Sequence, residues 1–582
     1  MKINTLTLSG SLLALVCQAV GAVKVNPLPK PVSISWGESG PLKVSQDIQL
    51  ETNKQDNKVL SEAFERTIKT INDLKWTPTA VEEPLQPVTR PFKRDTTSEL
   101  SKVKVNVKDY DADLQLGVDE SYTLNITEGS EEILIDAETV WGALHALQTV
   151  QQIVISDGDE GMIVEQPVSI DDKPLYPHRG IHLDTARNYY PVDAILRQID
   201  ALALSKLNVL HWHFVDAQSW PVELKSFPEM TDSAYSPKDV YSAEDIKKIV
   251  SYGKARGVRV YPEIDMPGHS YSGWKDIDPK LLACATSEFS DNINNYQLDA
   301  LYNKTYDTVE KVYNEISDMF SDSMFHIGAD ELVPSCFKYS ENIQNFLKED
   351  ESRTVDDVLE YWVEKALPIF KKVKDRKLVM WEDVVLSETV KASNVPKDVI
   401  MQSWNNGTAY IQELVKMGHE VIVSSADFFY LDCGFGGYLG NDPRYNVQKN
   451  PDWNSPTFNY GGDGGSWCSP YKSWQRIYAY DFAANLTESE RKKIIGVEAP
   501  LWAEQVDDQV ADGKIWPRAA ALSELVWSGN KNSTGQLRNR EMTQRIANFR
   551  DYLVANGIRA APIMPRYCIQ HPHNCDYDVY LG

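Results

Sequence analysis

Short apolar runs alternate with amphipathic helical stretches from about residue 175 onward, and this alternation constrains the fold more than any other feature. The pattern is typical of parallel β/α architecture, and several runs are apolar on both faces, as strands covered on two sides are. Eight such strands in about 330 residues predict an α/β fold with a (β/α)8 TIM barrel, with long loops after the third and seventh strands. A doubly wound sheet is the alternative. The candidate strands are Gly180–Leu183, Val209–Val215, Val258–Ile264, Met324–Gly328, Leu378–Trp381, Val399–Ser403, Val421–Ser424 and Ile495–Glu498.

Residues 23–172 have a different pattern, which predicts a smaller α+β domain in front of the barrel. Apolar and polar residues alternate over Val103–Val107, and Glu132–Ala137 is a second short strand signal. The apolar residues of Thr139–Ile155 recur at helical spacing, so we expect a helix there. Residues 173–582 then form the barrel domain together with a C-terminal segment that carries two cysteines.

The first 22 residues have the features of a secretory signal peptide. Lys2 supplies a positive charge, Leu6–Val20 is apolar and uncharged, and Val20-Gly21-Ala22 places small residues where signal peptidase cuts. The apolar stretch is too short for a membrane anchor. We therefore expect cleavage after Ala22 and a secreted or extracellular protein, with the cell wall, periplasm or vacuole as further locations.

The cysteines and the glycosylation sequons are also consistent with a secreted protein. Cys17 leaves with the signal peptide, and the even number that remains predicts three disulfides in an oxidising compartment. Fifteen connectivities are open to six cysteines. Their spacing favours three local pairs in chain order: Cys284 with Cys336, Cys433 with Cys468, and Cys568 with Cys575. Sequons for N-glycosylation are present at Asn125, Asn303, Asn406, Asn485 and Asn532.

The charge balance excludes two classes of partner. Lys plus Arg number 59 and Asp plus Glu 84, which gives a net charge of −25. Such a chain repels nucleic-acid phosphates and anionic lipid surfaces, so we expect it to bind neither nucleic acid nor membrane.

Carboxylates and aromatic residues occur together at the ends of the candidate strands, which is where barrel enzymes place their reactive groups. Aromatic faces stack on sugar rings, and carboxylates accept hydrogen bonds from sugar hydroxyls. The combination indicates a carbohydrate site. These strand ends carry Asp184, Asp216, Glu263, Asp265, Asp330, Glu331, Trp381, Asp383, Trp404, Tyr430, Asp432, Trp502 and Glu504.

Two histidines offer a rival chemistry. His211 and His213 lie on one face of a strand, at a spacing that suits metal ligands. A metal-dependent amidohydrolase barrel would need further histidines on later strands. After His326, only His419, His571 and His573 remain, so we expect neither a metal nor any other cofactor.

At this point several motifs carry a family resemblance. His326-Ile-Gly-Ala-Asp330-Glu331 resembles the His-x-Gly-Gly-Asp-Glu signature of glycoside hydrolase family 20, the β-N-acetylhexosaminidases. The helix that begins Thr139-Val-Trp-Gly resembles the N-terminal domain of that family, so the resemblance spans most of the mature chain. Ala329 stands where the family usually has a second glycine. Further matching motifs are Arg179-Gly180 with Asp184, His211-Trp-His-Phe-Val-Asp216, Asp265-Met-Pro-Gly-His269 and Trp502-Ala-Glu504.

The resemblance implies exo-acting, retaining hydrolysis in which the 2-acetamido oxygen of the substrate is the nucleophile. Glu331 would be the general acid and base, and Asp330 would hold the acetamido N–H and stabilise the oxazolinium intermediate. Asp216 and His269 would form a relay that tunes Glu331. The implied substrate-binding residues are Tyr430 for the acetamido carbonyl, Trp381, Trp404 and Trp502 as walls, and Arg179, Asp432 and Glu504 for ring hydroxyls. For Arg179 the strand pattern suggests the N-terminal end of a strand, so its role rests on the resemblance alone.

Adjacent acids suit this mechanism better than a conventional pair of carboxylates, since side chains of neighbouring strand residues diverge. A lectin with an inactive barrel and a chitinase are the alternatives; a chitinase would want acids spaced as Asp-x-x-Asp-x-Asp-x-Glu, which the fourth strand lacks. The expected partner is an oligosaccharide, from chitooligosaccharides or glycans, that ends in N-acetylglucosamine or N-acetylgalactosamine. The chain could also act as a homodimer.

A proline-rich stretch in the first domain ends in a pair of basic residues, Lys93-Arg94, of the kind that secretory endoproteases cut. The prolines at 78, 84, 87 and 91 would keep the segment extended and accessible. Fungal members of the family carry such a propeptide, so the resemblance favours a propeptide 23–94 that stays bound without a covalent link. An uncut chain that begins at Val23 is the alternative.

Overall fold

The computed structural model describes residues 23–54, 57–81, 86–88, 99–285, 295–373, 375–435, 438, 468 and 470–576. The predicted signal peptide and the basic pair Lys93-Arg94 lie outside the described residues. Eighteen strands are described, and most belong to an N-terminal sheet or to a closed barrel.

The N-terminal sheet has eight strands in the order β1-β10-β6-β7-β5-β2-β9-β8, and β3 and β4 pair separately. Parallel and antiparallel pairs are mixed, because β2, β5 and β7 run parallel while β6 and β10 run antiparallel to their neighbours. These strands are β1 Ser33–Trp36, β2 Leu42–Thr52, β3 Ala80–Val81, β4 Gln86–Pro87, β5 Glu99–Asp109, β6 Tyr122–Ile126, β7 Glu132–Thr139, β8 Ile155–Ser156, β9 Met162–Val164 and β10 Val168–Asp172.

Two helices cover this sheet, α1 (Lys58–Leu74) and α2 (Val140–Ile153). Thr139 caps α2, since its hydroxyl accepts from the main-chain N–H of Gly142. Nearly every residue of α2 is buried, whereas α1 buries a single stripe. The helix α2 therefore lies inside the molecule, and the cluster around it includes Trp527 from the barrel domain.

The second sheet is a closed barrel of eight parallel strands, which confirms the predicted fold and excludes the doubly wound alternative. The barrel closes because the first strand, β11, pairs with both β12 and β18. Every residue of the barrel strands except the first residue of β15 is buried, as expected for strands covered on both faces. The strands are β11 His178–Asp184, β12 Val209–His213, β13 Arg259–Glu263, β14 Met324–His326, β15 Lys377–Trp381, β16 Ile400–Ser403, β17 Val421–Val423 and β18 Ile494–Leu501.

Helices of varied length surround and cap the barrel. Ser242 and Asp245 form a capping box at the start of α4, as their spacing predicts. No helix among the described residues combines the length and the apolar surface needed to span a bilayer. The remaining helices are α3 Val192–Leu204, α4 Ala243–Lys254, α5 Trp274–Ile277, α6 Lys304–Ser317, α7 Pro334–Phe337, α8 Glu341–Lys348, α9 Val355–Phe370, α10 Asp383–Leu386, α11 Thr408–Met417, α12 Ala426–Phe429, α13 Trp474–Ala479, α14 Glu488–Arg491, α15 Ala511–Ile515, α16 Arg518–Trp527, α17 Asn539–Ala555 and α18 Arg566–Gln570, with 3-10 turns at Pro228–Ser233 and Pro279–Leu281.

Long connections follow the third and seventh barrel strands, as predicted, and each of them contains a cysteine of a disulfide bond. Cys284 and Cys336 join the loops after β13 and β14, and Cys433 and Cys468 close part of the loop after β17. The third disulfide joins Cys568 and Cys575 near the C-terminus. The pairing in chain order that the spacing favours is therefore confirmed.

The N-terminal domain meets the lower, amino-terminal end of the barrel through buried charged groups. The Glu120 carboxylate accepts two hydrogen bonds from the Arg179 guanidinium, each 2.8 Å long. His145 contributes a ring nitrogen 2.8 Å from the same carboxylate. Beside this cluster, the Lys206 ammonium lies 3.0 Å from Asp172. Buried ion pairs of this kind fix the orientation of the two domains, because separating them would leave the charges unpaired.

Candidate active site

Asp330 and Glu331 lie just beyond the end of β14, in a turn with unusual backbone angles. The strand ends at His326 and not at Gly328 as predicted, because the next residues leave the extended conformation. Gly328, Ala329 and Glu331 all have positive φ angles of 67°, 74° and 48°. The expectation that the two acids diverge as strand neighbours therefore does not hold, since neither residue belongs to a strand.

The carboxylate of Asp265 holds this turn in place. Its Oδ1 atom accepts a hydrogen bond of 2.9 Å from the main-chain N–H of Ala329. A Cβ atom on Gly328 would lie 1.8 Å from the same oxygen, so only glycine fits there. Ala329 keeps its methyl group in a conformation that L-residues rarely adopt. The turn is thus a strained element that the contact with Asp265 stabilises.

A hydrogen-bonded chain leads from Asp216 to Glu331. Asp216 Oδ1 lies 3.2 Å from His269 Nδ1, and His269 Nε2 lies 3.2 Å from Glu331 Oε2. The negative charges of Asp216 and Asp330 raise the pKa of His269 well above its ordinary value, despite its burial. His269 in turn lowers the pKa of Glu331 through this hydrogen bond. The proton of this series of hydrogen bonds is therefore held by His269.

Asp330 lies deeper than Glu331 and beside another acid. The Asp330 side chain is 10% exposed, whereas the Glu331 side chain is 49% exposed. Burial and the negative charge of Asp265 raise the pKa of Asp330 well above its ordinary value. Burial likewise raises the pKa of Asp265 to about 6. Two buried acids side by side hold a proton near neutral pH that isolated acids would lose.

The predicted aromatic residues lie close to one another in the structure. Trp404 and Tyr430 stack with an interplanar angle of 14° at 6.3 Å, and the Tyr430 ring lies 6.3 Å from that of Trp502. Trp381 closes the group, 6.0 Å from Trp502. Its indole N–H donates to Glu263 Oε1 at 2.7 Å, while that of Trp404 donates to Asp383 Oδ2 at 2.6 Å.

Further acids line the rim beside Trp502. Asp432 Oδ1 accepts a hydrogen bond of 3.3 Å from the main-chain N–H of Trp502. Burial and the charge of Glu504 raise the pKa of Asp432 to about 7. Burial raises the pKa of Glu504 as well. Groups of this kind can accept hydrogen bonds from sugar hydroxyls in either protonation state.

Arg179 is not part of this site, which corrects its predicted role. As the second residue of β11 it lies at the lower end of the barrel, where it binds Glu120. The guanidinium at the upper end belongs to Arg187, three residues after the end of the same strand. It lies 2.9 Å from Asp216 and packs over the ring of Trp502. The sequence signal that could have identified Arg187 is its position shortly after the end of a barrel strand, three residues beyond Asp184.

The histidines with metal-like spacing face buried carboxylates. His211 Nδ1 lies 2.9 Å from Glu498 Oε2, and His213 Nδ1 lies 2.7 Å from Glu263 Oε2. His182 on the neighbouring strand lies 3.3 Å from the same Glu263 oxygen. The two glutamates thus supply the hydrogen-bond partners of these rings in the barrel interior.

Comparison with known proteins agrees with the geometry. Residues 176–530 match the sequence model of the glycosyl hydrolase family 20 catalytic domain, and residues 27–153 match that of a domain described as beta-acetyl hexosaminidase like. The chain is 55% identical to Beta-hexosaminidase 1 of Coccidioides posadasii, over 98% of this chain and 97% of that protein. It is 53% identical to Beta-hexosaminidase of Emericella nidulans, over 97% of each.

A solved structure of similar fold is the GH20 exo beta-N-acetylglucosaminidase from Vibrio harveyi in complex with N-acetylglucosamine. The two structures have a TM-score of 0.72 at 22% identity, over 94% of this chain and 80% of that one. That likeness supports the barrel and the domain in front of it. The sequence matches go further, because they cover both domains at high identity. The chain is therefore a glycosidase that belongs to glycosyl hydrolase family 20.

Proposed function

We propose that the protein is an exo-acting, retaining β-N-acetylhexosaminidase that uses the 2-acetamido group of its substrate as the nucleophile. The observation that carries the proposal is the pair Asp330 and Glu331, which approach the same nitrogen of His269 at 3.9 and 3.2 Å. Two carboxylates against one imidazole are poorly placed to flank a glycosidic bond from opposite sides. A nucleophile supplied by the substrate removes that need.

Glu331 suits the role of general acid and base. Its half-exposed carboxylate can reach a leaving oxygen, and the His269 imidazolium keeps a proton 3.2 Å away. In the first step Glu331 takes the proton of the His269 imidazolium and passes it to the leaving oxygen, while the acetamido oxygen attacks the anomeric carbon. In the second step it takes a proton from the water that opens the oxazolinium ring. Nearly buried Asp330 would stabilise the positive charge of that intermediate in its ionised form.

The surrounding residues suit recognition of a terminal sugar. Trp381, Trp404 and Trp502 would enclose the acetamido methyl and the sugar face, and Tyr430 would donate to the acetamido carbonyl. Arg187 replaces Arg179 as the cationic group of the site, and with Asp432 and Glu504 it would bind ring hydroxyls. The substrate would be an oligosaccharide, from chitin fragments or glycans, that ends in N-acetylglucosamine or N-acetylgalactosamine.

The direct test is the variant Glu331→Gln on an aryl β-N-acetylglucosaminide. Loss of the acid–base group should lower kcat by about 10²-fold or more. Glu388→Gln is the control, because Glu388 is an exposed acid and should leave the rate unchanged. Full activity of Glu331→Gln would overturn the assignment, whereas an inactive wild-type protein would refute the proposed substrate class.

A second test separates the substrate's own nucleophile from an enzyme carboxylate. A thiazoline that mimics the oxazolinium intermediate should inhibit competitively and bind at least 10²-fold more tightly than N-acetylglucosamine. Mass spectrometry with a slow fluorinated substrate supplies the opposite test. A covalent glycosyl ester on Asp330 would contradict the mechanism.

We also infer that the protein is secreted and N-glycosylated. Its three disulfides suit an oxidising compartment. Four of the sequon asparagines are exposed, namely Asn303, Asn406, Asn485 and Asn532, and Asn125 is half-buried on the outer face of the N-terminal sheet. A signal peptide that ends at Ala22 would deliver the chain to that compartment.

A further inference from the structure

The chain of hydrogen bonds behind Glu331 continues past Asp216 into the barrel. Asp216 Oδ2 lies 2.6 Å from His213 Nε2, and the other ring nitrogen, His213 Nδ1, lies 2.7 Å from Glu263 Oε2. His213 and Glu263 are completely buried at the ends of β12 and β13. The resulting series of acids and imidazoles is Glu263, His213, Asp216, His269 and Glu331.

The geometry favours a doubly protonated His213. A neutral imidazole has one N–H, yet both ring nitrogens face a carboxylate oxygen at hydrogen-bond distance. The two carboxylates accordingly raise the pKa of His213 to about 10 despite its burial. The other charged or titratable neighbours are Arg187, whose Nη1 lies 3.4 Å from His213 Nε2, and His182, whose ring lies 5.4 Å away. Burial lowers the pKa of His182 to about 4, so this ring is neutral.

We propose that His213 and Glu263 are positioning residues of the acid–base machinery, which rests on the function proposed above. His213 orients Asp216 and neutralises part of its charge, and Glu263 holds His213 and offsets part of its positive charge. Asp216 then fixes how strongly His269 holds the proton that it shares with Glu331. The side chains of His213 and Glu263 are completely buried, and the Trp381 N–H donates to Glu263. The two residues therefore act through Asp216 and His269 and do not touch the substrate.

Two variants of opposite charge test the proposal through the pH profile of kcat/KM. His213→Gln removes a positive charge, so His269 and Glu331 should lose their shared proton at higher pH. Glu263→Gln removes a negative charge, so the basic limb should move to lower pH. Each shift should amount to about half a pH unit or more, given the strength of interactions between buried charges. KM should stay within about twofold of wild type, because the substrate contacts are intact.

His182→Gln is the matched control. His182 is as buried as His213 and faces the same Glu263 oxygen, but it is uncharged and has no contact with Asp216. Its replacement should leave the basic limb in place, whatever it does to stability. Folding of each variant is checked by circular dichroism. If His213→Gln does not fold, the shift of the basic limb in Glu263→Gln alone tests the proposal. A folded variant with the wild-type basic limb would overturn the proposal, while an inactive wild type or an active Glu331→Gln would refute the function itself.

A second inference rests on an independent observation at the start of the first domain. Val23 is completely buried, and its main-chain nitrogen lies 3.0 Å from Oε2 of Glu165, which is 1% exposed. Within the described residues no lysine, arginine or histidine side chain pairs with Glu165. A buried carboxylate with one amide donor lacks a compensating charge.

We infer that removal of the signal peptide supplies this charge. Hydrolysis of the Ala22–Val23 bond by signal peptidase consumes one water and leaves a carboxylate on Ala22 and an ammonium group on Val23. That ammonium would form a buried ion pair with Glu165. The adjoining side chains of Val23 and Val25 pack with Val81, Ile155 and Ile163, so the new terminus is held inside the protein. Maturation would thus complete the fold of the N-terminal domain.

A double-mutant cycle tests the ion pair. Four proteins combine a free Val23 terminus or one extra alanine before it with Glu165 or Glu165→Gln. With the free terminus, Glu165→Gln should lower Tm by about 2 °C, and with the extra alanine the loss should be clearly smaller. Equal losses in both backgrounds would overturn the ion pair. N-terminal sequencing of secreted wild type is the companion measurement, and a terminus other than Val23 would also overturn it.

Discussion

At the scale of single residues, the carboxylate of Asp265 has a testable effect on the pKa of Asp330. It lies beside Asp330, and after burial its negative charge is the largest cause of the raised pKa of Asp330. Since the proposed mechanism needs Asp330 ionised, activity should be lost as the pH falls through that raised value. Asp265→Asn removes the charge, and its amide oxygen can still accept from the N–H of Ala329. The acidic limb of kcat/KM should therefore move to lower pH by about one unit.

The measurement is a pH profile of aryl glycoside hydrolysis for wild type and Asp265→Asn. Asp276→Asn is a control in the same long loop, because Asp276 accepts hydrogen bonds from Gly273, Lys275 and Ser233 and has none with Asp330. An acidic limb that stays in place in Asp265→Asn would contradict the coupling between the two acids.

The sequence could predict the site residues that directly follow a barrel strand, because that position alone places them at the upper end of the barrel. It could not predict the residues whose role depends on contacts with distant parts of the chain. Asp216, His269 and the adjacent acids follow barrel strands and are close together in the structure. Arg187 also follows a strand, but the resemblance drew attention to Arg179, which the structure places at the opposite end of the barrel. Asp265 acts on a turn 64 residues away, a contact that no local pattern reveals.

At the scale of elements, the loop before β6 is joined to β11 by the buried ion pair of Glu120 and Arg179. The Arg179 guanidinium and His145 hold the pKa of Glu120 well below its ordinary value, even though burial alone would raise it. A lowered pKa in the folded state means stability that is present above about pH 4, the pKa of an unfolded glutamate, and lost as the pH falls below it.

Glu120→Gln should therefore destabilise the protein strongly at neutral pH. Breaking one partner of a buried pair typically costs about 3–5 kcal/mol, because the remaining charge stays buried without compensation. Thermal unfolding at pH 7 should show a clear drop in Tm, and the difference from wild type should shrink as the pH falls below about 4. Glu128→Gln, an exposed acid in the same domain, should have almost no effect. Equal stability of wild type and Glu120→Gln at pH 7 would contradict this role.

The barrel strands were predictable because burial on both faces leaves a continuous apolar run that turn residues interrupt. The predicted and observed bounds of β11–β18 differ by three residues at most. The early end of β14 was missed because nothing in the sequence shows that Ala329 has a positive φ. The strand order of the N-terminal sheet could not be predicted either, since parallel neighbours such as β2 and β5 are set by long-range pairing.

At the scale of the whole molecule, the residues that precede Lys93-Arg94 contribute strands to the N-terminal sheet and contacts to the barrel domain. The strand β2 lies between β5 and β9 inside the eight-stranded sheet, and β1 pairs with β10. Thr79 and Ala80 reach the barrel domain, where the Asn548 amide donates to the Ala80 carbonyl at 2.9 Å. A cut after Arg94 would therefore leave two fragments that share one core.

We predict that secretory endoproteases cut after Lys93-Arg94 and that the fragments 23–94 and 95–582 stay together. All three disulfides lie after residue 283, so no covalent bond would join the two pieces. Secreted protein should elute as one species in native gel filtration, give two bands in denaturant without reductant, and show two N-termini, at Val23 and near residue 95. The double variant Lys93→Gln with Arg94→Gln should give one band of full length. A single N-terminus near residue 23 in the wild type would reject the cut, and separate elution of the fragments would reject their association through the shared sheet.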